Sequence, residues 1–340
     1  MKHELYKLGE ITMKKSFYIL VMILYFSFIN EPISVLGAQK VDELNVKHGD
    51  KFITKEIYQI NSFESLLNDL IPRMIRKEEI PLYRINKNNK FLKSINLLNE
   101  LENIEPNNSD KWNNFYLAEI LDYSFSNIST FEMPSRDKDN YYLNCNLNYL
   151  TDEQSKFISY EGEQILSYLN LEASSEFEKV RSIYSYIIEN LEYTYKENGE
   201  PNSECNSVYI ALYYKKAVCS GYSRLLNYLL KKANIDTRLI IAFNDNSGHA
   251  WNKVKVYDKW YNTDVTWDDE GDYMDTTYFL KSNEDFKNHD IYSNVYGSNF
   301  NQEDILSEYS FTFFDELIEI LSLLFEKLKS FILNSVSLIK

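Results

Sequence analysis

The sequence predicts an α+β fold with helices grouped ahead of strands. Two capping boxes, Thr151 with Gln154 and Ser175 with Glu178, each open a run whose apolar residues recur at helical spacing. A third run of this kind follows Cys219. After it, Thr237 to Thr266 is rich in β-branched and apolar residues and reads as strands. Helices first and strands after suit separate α and β layers rather than alternating βαβ units.

The elements follow in order along 340 residues, a length that suits one large domain or two ordinary ones. Residues 1–38 read as a signal peptide or N-terminal anchor. Lys14 and Lys15 precede an apolar run from Phe17 to Ile29, and Pro32, Val35, Gly37 and Ala38 follow it. The run is shorter than the roughly 20 residues of a spanning helix, which favours a cleaved signal over an anchor and places the protein outside the cell or at its surface. Met13 is read as the start, with 1–12 an upstream extension.

Residues 39–150 read as an N-terminal α/β region without a chemical motif. Phe63, Leu66, Leu67, Leu70 and Ile71 form one helical stripe that Pro72 is expected to end. Tyr141 to Tyr149 alternates as a strand does. The Asn-rich stretches Asn86–Asn89 and Asn107–Asn108 read as loops.

Residues 151–292 carry the stronger signals. One helix is expected from Thr151 to about Asn170. The next buries Phe177, Val180, Ile183, Tyr184, Ile187, Ile188 and Leu191 on one face. A third begins at or just before Cys219 and buries Tyr222, Leu225, Leu226, Leu229 and Leu230. Thr237–Phe243 reads as a strand, and His249–Val256 with Lys259–Thr266 as a hairpin. In the tail, 293–340, Phe314, Leu317, Leu321, Leu324, Leu328 and Phe331 make the stripe of an amphipathic helix. Packing on its own domain, self-association and peripheral membrane contact are all consistent with that stripe.

Composition narrows the function. A hydrophobic fraction of 44% and a charged fraction of 26% are those of a globular chain, and the net charge of −15, with no basic stripe, excludes nucleic acid as a partner. There is no CxxC, no HExxH and no Gly-rich phosphate loop, so neither metal nor cofactor is expected. The acidic run Asp264, Asp268, Asp269, Glu270, Asp272 and Asp275 lacks EF-hand spacing and reads as a solvated loop. Trp251, Trp260 and Trp267 suit either a substrate groove or a core. If a disulfide forms, Cys145–Cys205 is the pairing that spares Cys219, although nothing in the spacing supports it.

Three residues suggest chemistry. Cys219 falls at a helix N-terminus, where unpaired N–H groups and the helix dipole favour a thiolate and can hold an oxyanion. Gly221 permits close approach of substrate or backbone. His249 is one of four histidines and the one on a regular element, at the start of Gly248-His249-Ala250-Trp251-Asn252. If the hairpin loop is Tyr257-Asp258, His249 and Asp264 become diagonal neighbours on one sheet face, about 7–8 Å apart at the backbone. A loop at Asp258-Lys259 would put them out of reach.

The strings Val218-Cys219-Ser220-Gly221-Tyr222-Ser223, Gly248-His249-Ala250-Trp251-Asn252 and Trp260-Tyr261-Asn262-Thr263-Asp264-Val265-Thr266-Trp267-Asp268 resemble the nucleophile, histidine and aspartate motifs of the transglutaminase-like superfamily. So do Glu178 to Tyr193, as its leading helix and closing tyrosine, and Tyr209, as its upstream aromatic. The resemblance covers roughly residues 150–290. It implies a papain-like α+β core, a Cys219–His249–Asp264 triad and a thioester intermediate formed on a protein or peptide substrate. Cross-linking, deamidation and peptide hydrolysis all occur in the family. Tyr209, as a second oxyanion donor, and Tyr222 and Trp251, as groove residues, are supporting candidates. The alternative is a non-catalytic cell-surface binding or scaffold module on the same fold.

Overall fold

The computed structural model describes residues 38–48, 51–89, 97–104, 115–123, 126–245, 247–269, 276–292, 294–296 and 305–312, and 314–329 except 316, 319, 323, 326 and 327. The expected signal or anchor, 1–37, lies outside the described residues, as do Asn107, Asn108 and Phe331. No helix among the described residues is long and apolar enough to cross a membrane.

The chain divides into two compact units. One takes in the residues up to Arg76, with Ile80–Lys93 and Thr130–Asn144; the other takes in Lys77–Glu79, Ser94–Ser129 and Cys145–Lys340. The second unit therefore draws on segments that precede Thr151 in sequence.

The first unit is built on a five-stranded sheet. Its order is β1 (Gln39–His48), β2 (Lys51–Ile60), β3 (Leu82–Asn86), β5 (Asp137–Asn146), β4 (Asn127–Met133), with α1 (Phe63–Ile75) joining β2 to its parallel neighbour β3. Ser62 caps α1 by accepting the Ser65 N–H. Pro72 does not end this helix but lies within it. A proline in the last turn forfeits one backbone bond, and burial of Ile71 and Met74 holds that turn in the core.

The second unit surrounds one buried helix. Both expected capping boxes form, on Thr151 and Ser175. They open α3 (Asp152–Leu169) and α4 (Glu176–Asn190). After β6 (Glu192–Tyr193), α5 (Val208–Tyr214) and β7 (Lys216–Ala217) comes α6, Cys219–Lys232. Every residue of α6 from Gly221 to Lys231 is buried. A second sheet, in the order β11 (Asn294–Tyr296), β8 (Thr237–Phe243), β9 (Gly248–Val256), β10 (Lys259–Thr263), β12 (Ile305–Leu306), packs on it through β8 and β9. Tyr184, Leu225, Leu226, Leu229 and Val254 are among the fully buried residues of this core.

A segment far upstream closes one side of this core. α2 (Leu97–Glu102) and the turn after it lie against α6 and β8. Asn99 and Asn103 donate to the Leu239 carbonyl, and Asn103 accepts the Leu239 N–H at 2.7 Å. In the tail, the described residues between 314 and 329 are helical. Phe314, Leu321, Leu324 and Leu328 are more than half exposed there.

Candidate active site

Cys219 is the first residue of α6, as the motif placed it, and its cap residue Val218 makes no side-chain cap bond. Gly221 and Tyr222 donate their N–H groups to the Val218 carbonyl, and no cap side chain competes for those of Cys219 and Ser220 at the positive end of the dipole. The parallel pair β6–β7 sets Tyr193 opposite Ala217, two residues before the thiol. The Tyr193 phenol lies beside the Cys219 backbone N–H. Burial first, then the neighbouring Cys219 charge, pushes the Tyr193 phenol up. The other two cysteines are also free thiols, and burial raises that of Cys205.

Gly221 serves the backbone rather than the substrate. A Cβ there would meet the Cys205 carbonyl oxygen at 2.7 Å and the Ala217 methyl at 2.9 Å. Alanine is the better helix former by about 1 kcal/mol, but forcing a methyl against a fixed carbonyl costs about 1–3 kcal/mol. Gly221→Ala should therefore lower stability on balance, read as a lower urea midpoint. A variant more stable than the parent would show that α6 has room to move away.

The hairpin loop is Tyr257-Asp258, both residues with positive φ, and Val256 pairs with Lys259 as the in-register alternative required. The ladder ends at Thr263↔Asn252, not at Thr266. Asp264 leaves it because its Oδ1 accepts the backbone N–H groups of Thr266 and Trp267, at 3.0 and 3.2 Å, and so builds a turn. Its Oδ2 meets His249 Nε2 at 2.6 Å. The Cys219 thiol lies near enough to His249 to raise the pKa of its imidazole. The Ser223 hydroxyl donates to the Ala250 carbonyl at 2.8 Å, and Asn252 donates to the Ser223 carbonyl at 3.1 Å. These two bonds tie the start of α6 to β9 and fix the thiol relative to the imidazole.

Electrostatics favour a charged imidazole. Burial alone lowers the His249 pKa, but the charge and hydrogen bond of Asp264, followed by Cys219, outweigh it and raise the value to about 10. Asp264 is fully buried, which raises its pKa, yet His249 and then His289 bring it down to about 2. Tyr184 reaches from α4 to place its single hydroxyl proton between the Asp264 carbonyl at 2.8 Å and Asp268 Oδ2 at 2.6 Å.

Two readings need correction. Asp268 is no solvated loop carboxylate: it is 0% exposed and also accepts the Tyr278 N–H. Asp269 is likewise engaged, accepting from the Tyr222 hydroxyl. Glu270, Asp272 and Asp275 fall outside the described residues. As for the tryptophans, Trp251 and Trp260 are buried, and Trp267 stacks on His249 at 4.8 Å. Trp251 packs with Ile240, Ala242 and Phe286. Tyr209 packs on Phe157 and Tyr213.

The sequence reading did not single out His289, which lies 2.9 Å from the same Asp264 oxygen. Nor did it give Tyr193 a role beside the thiol. The scarcity of histidine was the one available signal for His289. Among the described residues, His249, Asp264 and His289 form the one group of donor atoms close enough to hold a metal ion, all within 4.8 Å of one another. Ligands on tetrahedral zinc, at about 2.0–2.1 Å from the ion, sit about 3.3 Å apart. Contacts of 2.6 and 2.9 Å are hydrogen-bond lengths, so the set fits shared protons better than a cation.

Comparison with known proteins agrees with the motifs. Residues 164–265 match the transglutaminase-like superfamily core. The chain is 26% identical over 116 residues to the Kyphoscoliosis peptidase of Mus musculus and 25% identical over 117 residues to that of Homo sapiens, in each case over 31% of this chain. It spans only 18% of the length of those relatives. A solved TGase aligns over 66% of this chain and 63% of its own, at 13% identity and a TM-score of 0.32. A helix-borne cysteine, a strand-borne histidine and an aspartate after the next strand thus lie within the segment, residues 164–265, that matches the transglutaminase-like superfamily.

Proposed function

We propose that this protein is an exported cysteine-dependent acyl-transfer enzyme that acts on protein or peptide amides. The observation that carries the reading is the 2.6 Å contact of His249 with the buried Asp264, beside a Cys219 thiol at the N-terminus of a buried helix. The Cys219 thiolate attacks the amide carbonyl and His249 delivers its proton to the departing amine, leaving a thioester on Sγ. Water or a second amine then gives its proton to His249 and attacks the thioester, which releases the acid or a new amide and frees the thiol. The Cys219 N–H, at the helix end, faces the oxyanion. We assign the second donor to the Tyr193 hydroxyl, since that phenol lies beside this N–H and can donate to the same oxyanion. Export rests on the basic and apolar segment before residue 38, and the acidic chain suits an amine-bearing substrate.

The test has two readouts. Iodoacetamide at neutral pH should label Cys219 well ahead of a free cysteine. Incubation with a pool of Gln- and Lys-bearing peptides, followed by mass spectrometry, should show loss of ammonia, isopeptide products or cleaved peptides. A thiol that reacts no faster than free cysteine, with an unchanged pool, would sink the proposal.

A further inference from the structure

The triad leaves one buried titratable side chain at the site without a role. His289 is 6% exposed. Its ring stacks on Phe286 at 3.7 Å and tilts against Trp267 at 4.1 Å, with Trp251 and Tyr278 edge-on at 5.0 and 5.4 Å. Nε2 lies 2.9 Å from Asp264 Oδ2, and Nδ1 lies 3.1 Å from the Lys287 carbonyl. An imidazole enclosed by four aromatic rings is costly to desolvate, and these two contacts are what offset that cost. The ionisable groups that face it are Asp264, the His249 ring at 5.6 Å and the Tyr278 phenol. Cys219 and Tyr292 lie beyond His249.

We propose that His289 is a positioning residue of the triad, a second imidazole that donates to the same Asp264 oxygen as His249, fixes that carboxylate and takes a share of its charge. With Thr266 and Trp267 on Oδ1 and the two imidazoles on Oδ2, Asp264 accepts four hydrogen bonds, about as many as a carboxylate can. It cannot rotate without breaking two of them. Both ring nitrogens of His289 face oxygens that only accept, so the ring has a partner for a proton on Nε2 and is held between Asp264 and the Lys287 carbonyl. Its meaning for catalysis rests on the acyl-transfer reading, whereas the shared carboxylate does not.

The chain has four histidines, so histidine-selective nitrogen-15 labelling of the full-length protein gives a spectrum simple enough to read. His289→Gln keeps a donor near the Nε2 position; His289→Phe keeps the ring stack but no donor. In the parent, the His289 Nε2 should carry the proton of the hydrogen bond to Asp264. In His289→Phe the His249 titration midpoint should rise by about one pH unit, because Asp264 then serves one imidazole instead of two. In His289→Phe, kcat should fall about tenfold to a hundredfold at constant KM, as misaligned catalytic groups do, and His289→Gln should recover most of that loss. A bare Nε2 on His289 in the parent, or a His249 midpoint that moves in neither variant, would overturn the proposal. Slow alkylation of Cys219 in the parent would count against the acyl-transfer reading alone, since the titration of His249 is read without turnover.

Discussion

Asp264→Asn should lower kcat by about 10³–10⁴-fold, the scale on which a triad fails when its imidazole is held in the wrong tautomer. The asparagine side chain fits the same space, and its carbonyl oxygen can still accept from Thr266 and Trp267. Its NH₂ then faces Nε2 of both His249 and His289, which places donors where acceptors are needed. His249 must offer a lone pair to that NH₂, so its proton moves to Nδ1 and it can no longer take one from Cys219. The pH profile should change in a defined sense. Asp264 is the chief group that raises the His249 pKa to about 10 against burial. Without it, the basic limb of kcat/KM, which follows the loss of the His249 proton, should move acidward by roughly two pH units. A loss of rate under tenfold with the basic limb in place would contradict the relay.

The same pair shapes stability. A histidine whose pKa is raised by folding contributes stability that is complete below its unfolded value near 6.5, and that is lost as pH rises through about 10. A carboxylate whose pKa is lowered contributes stability present above 3.8, which is lost as pH falls toward 2. The interaction is one contact seen from both partners and counts once. The parent should therefore lose stability between pH 6 and 10, measured by urea unfolding, and Asp264→Asn should lose less over the same interval.

What could be read in advance was local. The capping boxes at Thr151 and Ser175 were visible because each is closed by residues three apart. The hairpin register followed from its two-residue loop, and that register brought His249 and Asp264 toward each other. The exact end of β10 could not be read, because it depends on where the Asp264 carboxylate spends its hydrogen bonds. Pro72 misled because a proline is disruptive only in proportion to the bonds that follow it. His289 and Tyr193 reach the site across 25 residues from Asp264 and 26 from Cys219, and no short spacing signals such an approach. The parallel β2–β3 pair and the docking of α2 on α6 are non-local in the same way.

Glu102→Ala should be the most destabilising single change, at about 3–5 kcal/mol, because it strands a buried guanidinium. Glu102 closes α2 with its side chain 2% exposed, and the Arg224 guanidinium of α6 lies 3.1 Å from its Oε1. Arg224 also donates to the Asn206 carbonyl at 2.6 Å and covers the Tyr123 ring at 3.9 Å. The Glu102 carbonyl accepts from Asn227 and Lys231. The pair itself adds little to stability. Burial raises the Glu102 pKa and the Arg224 charge only partly offsets it, and Glu102 Oε2 has no partner among the described residues. The charges are therefore costly to hold and costlier to separate. Replacing both, as Glu102→Met with Arg224→Met, should recover most of the loss seen in Glu102→Ala, a result that surface pairs never give. Urea unfolding of the two single variants and the double variant completes the cycle. Arg224 stands five residues after Cys219 on the same helix, so the cycle also reports how firmly the thiol is seated. If Glu102→Ala costs under 1 kcal/mol, water reaches the guanidinium, and α2 is a lid over α6 rather than part of its core.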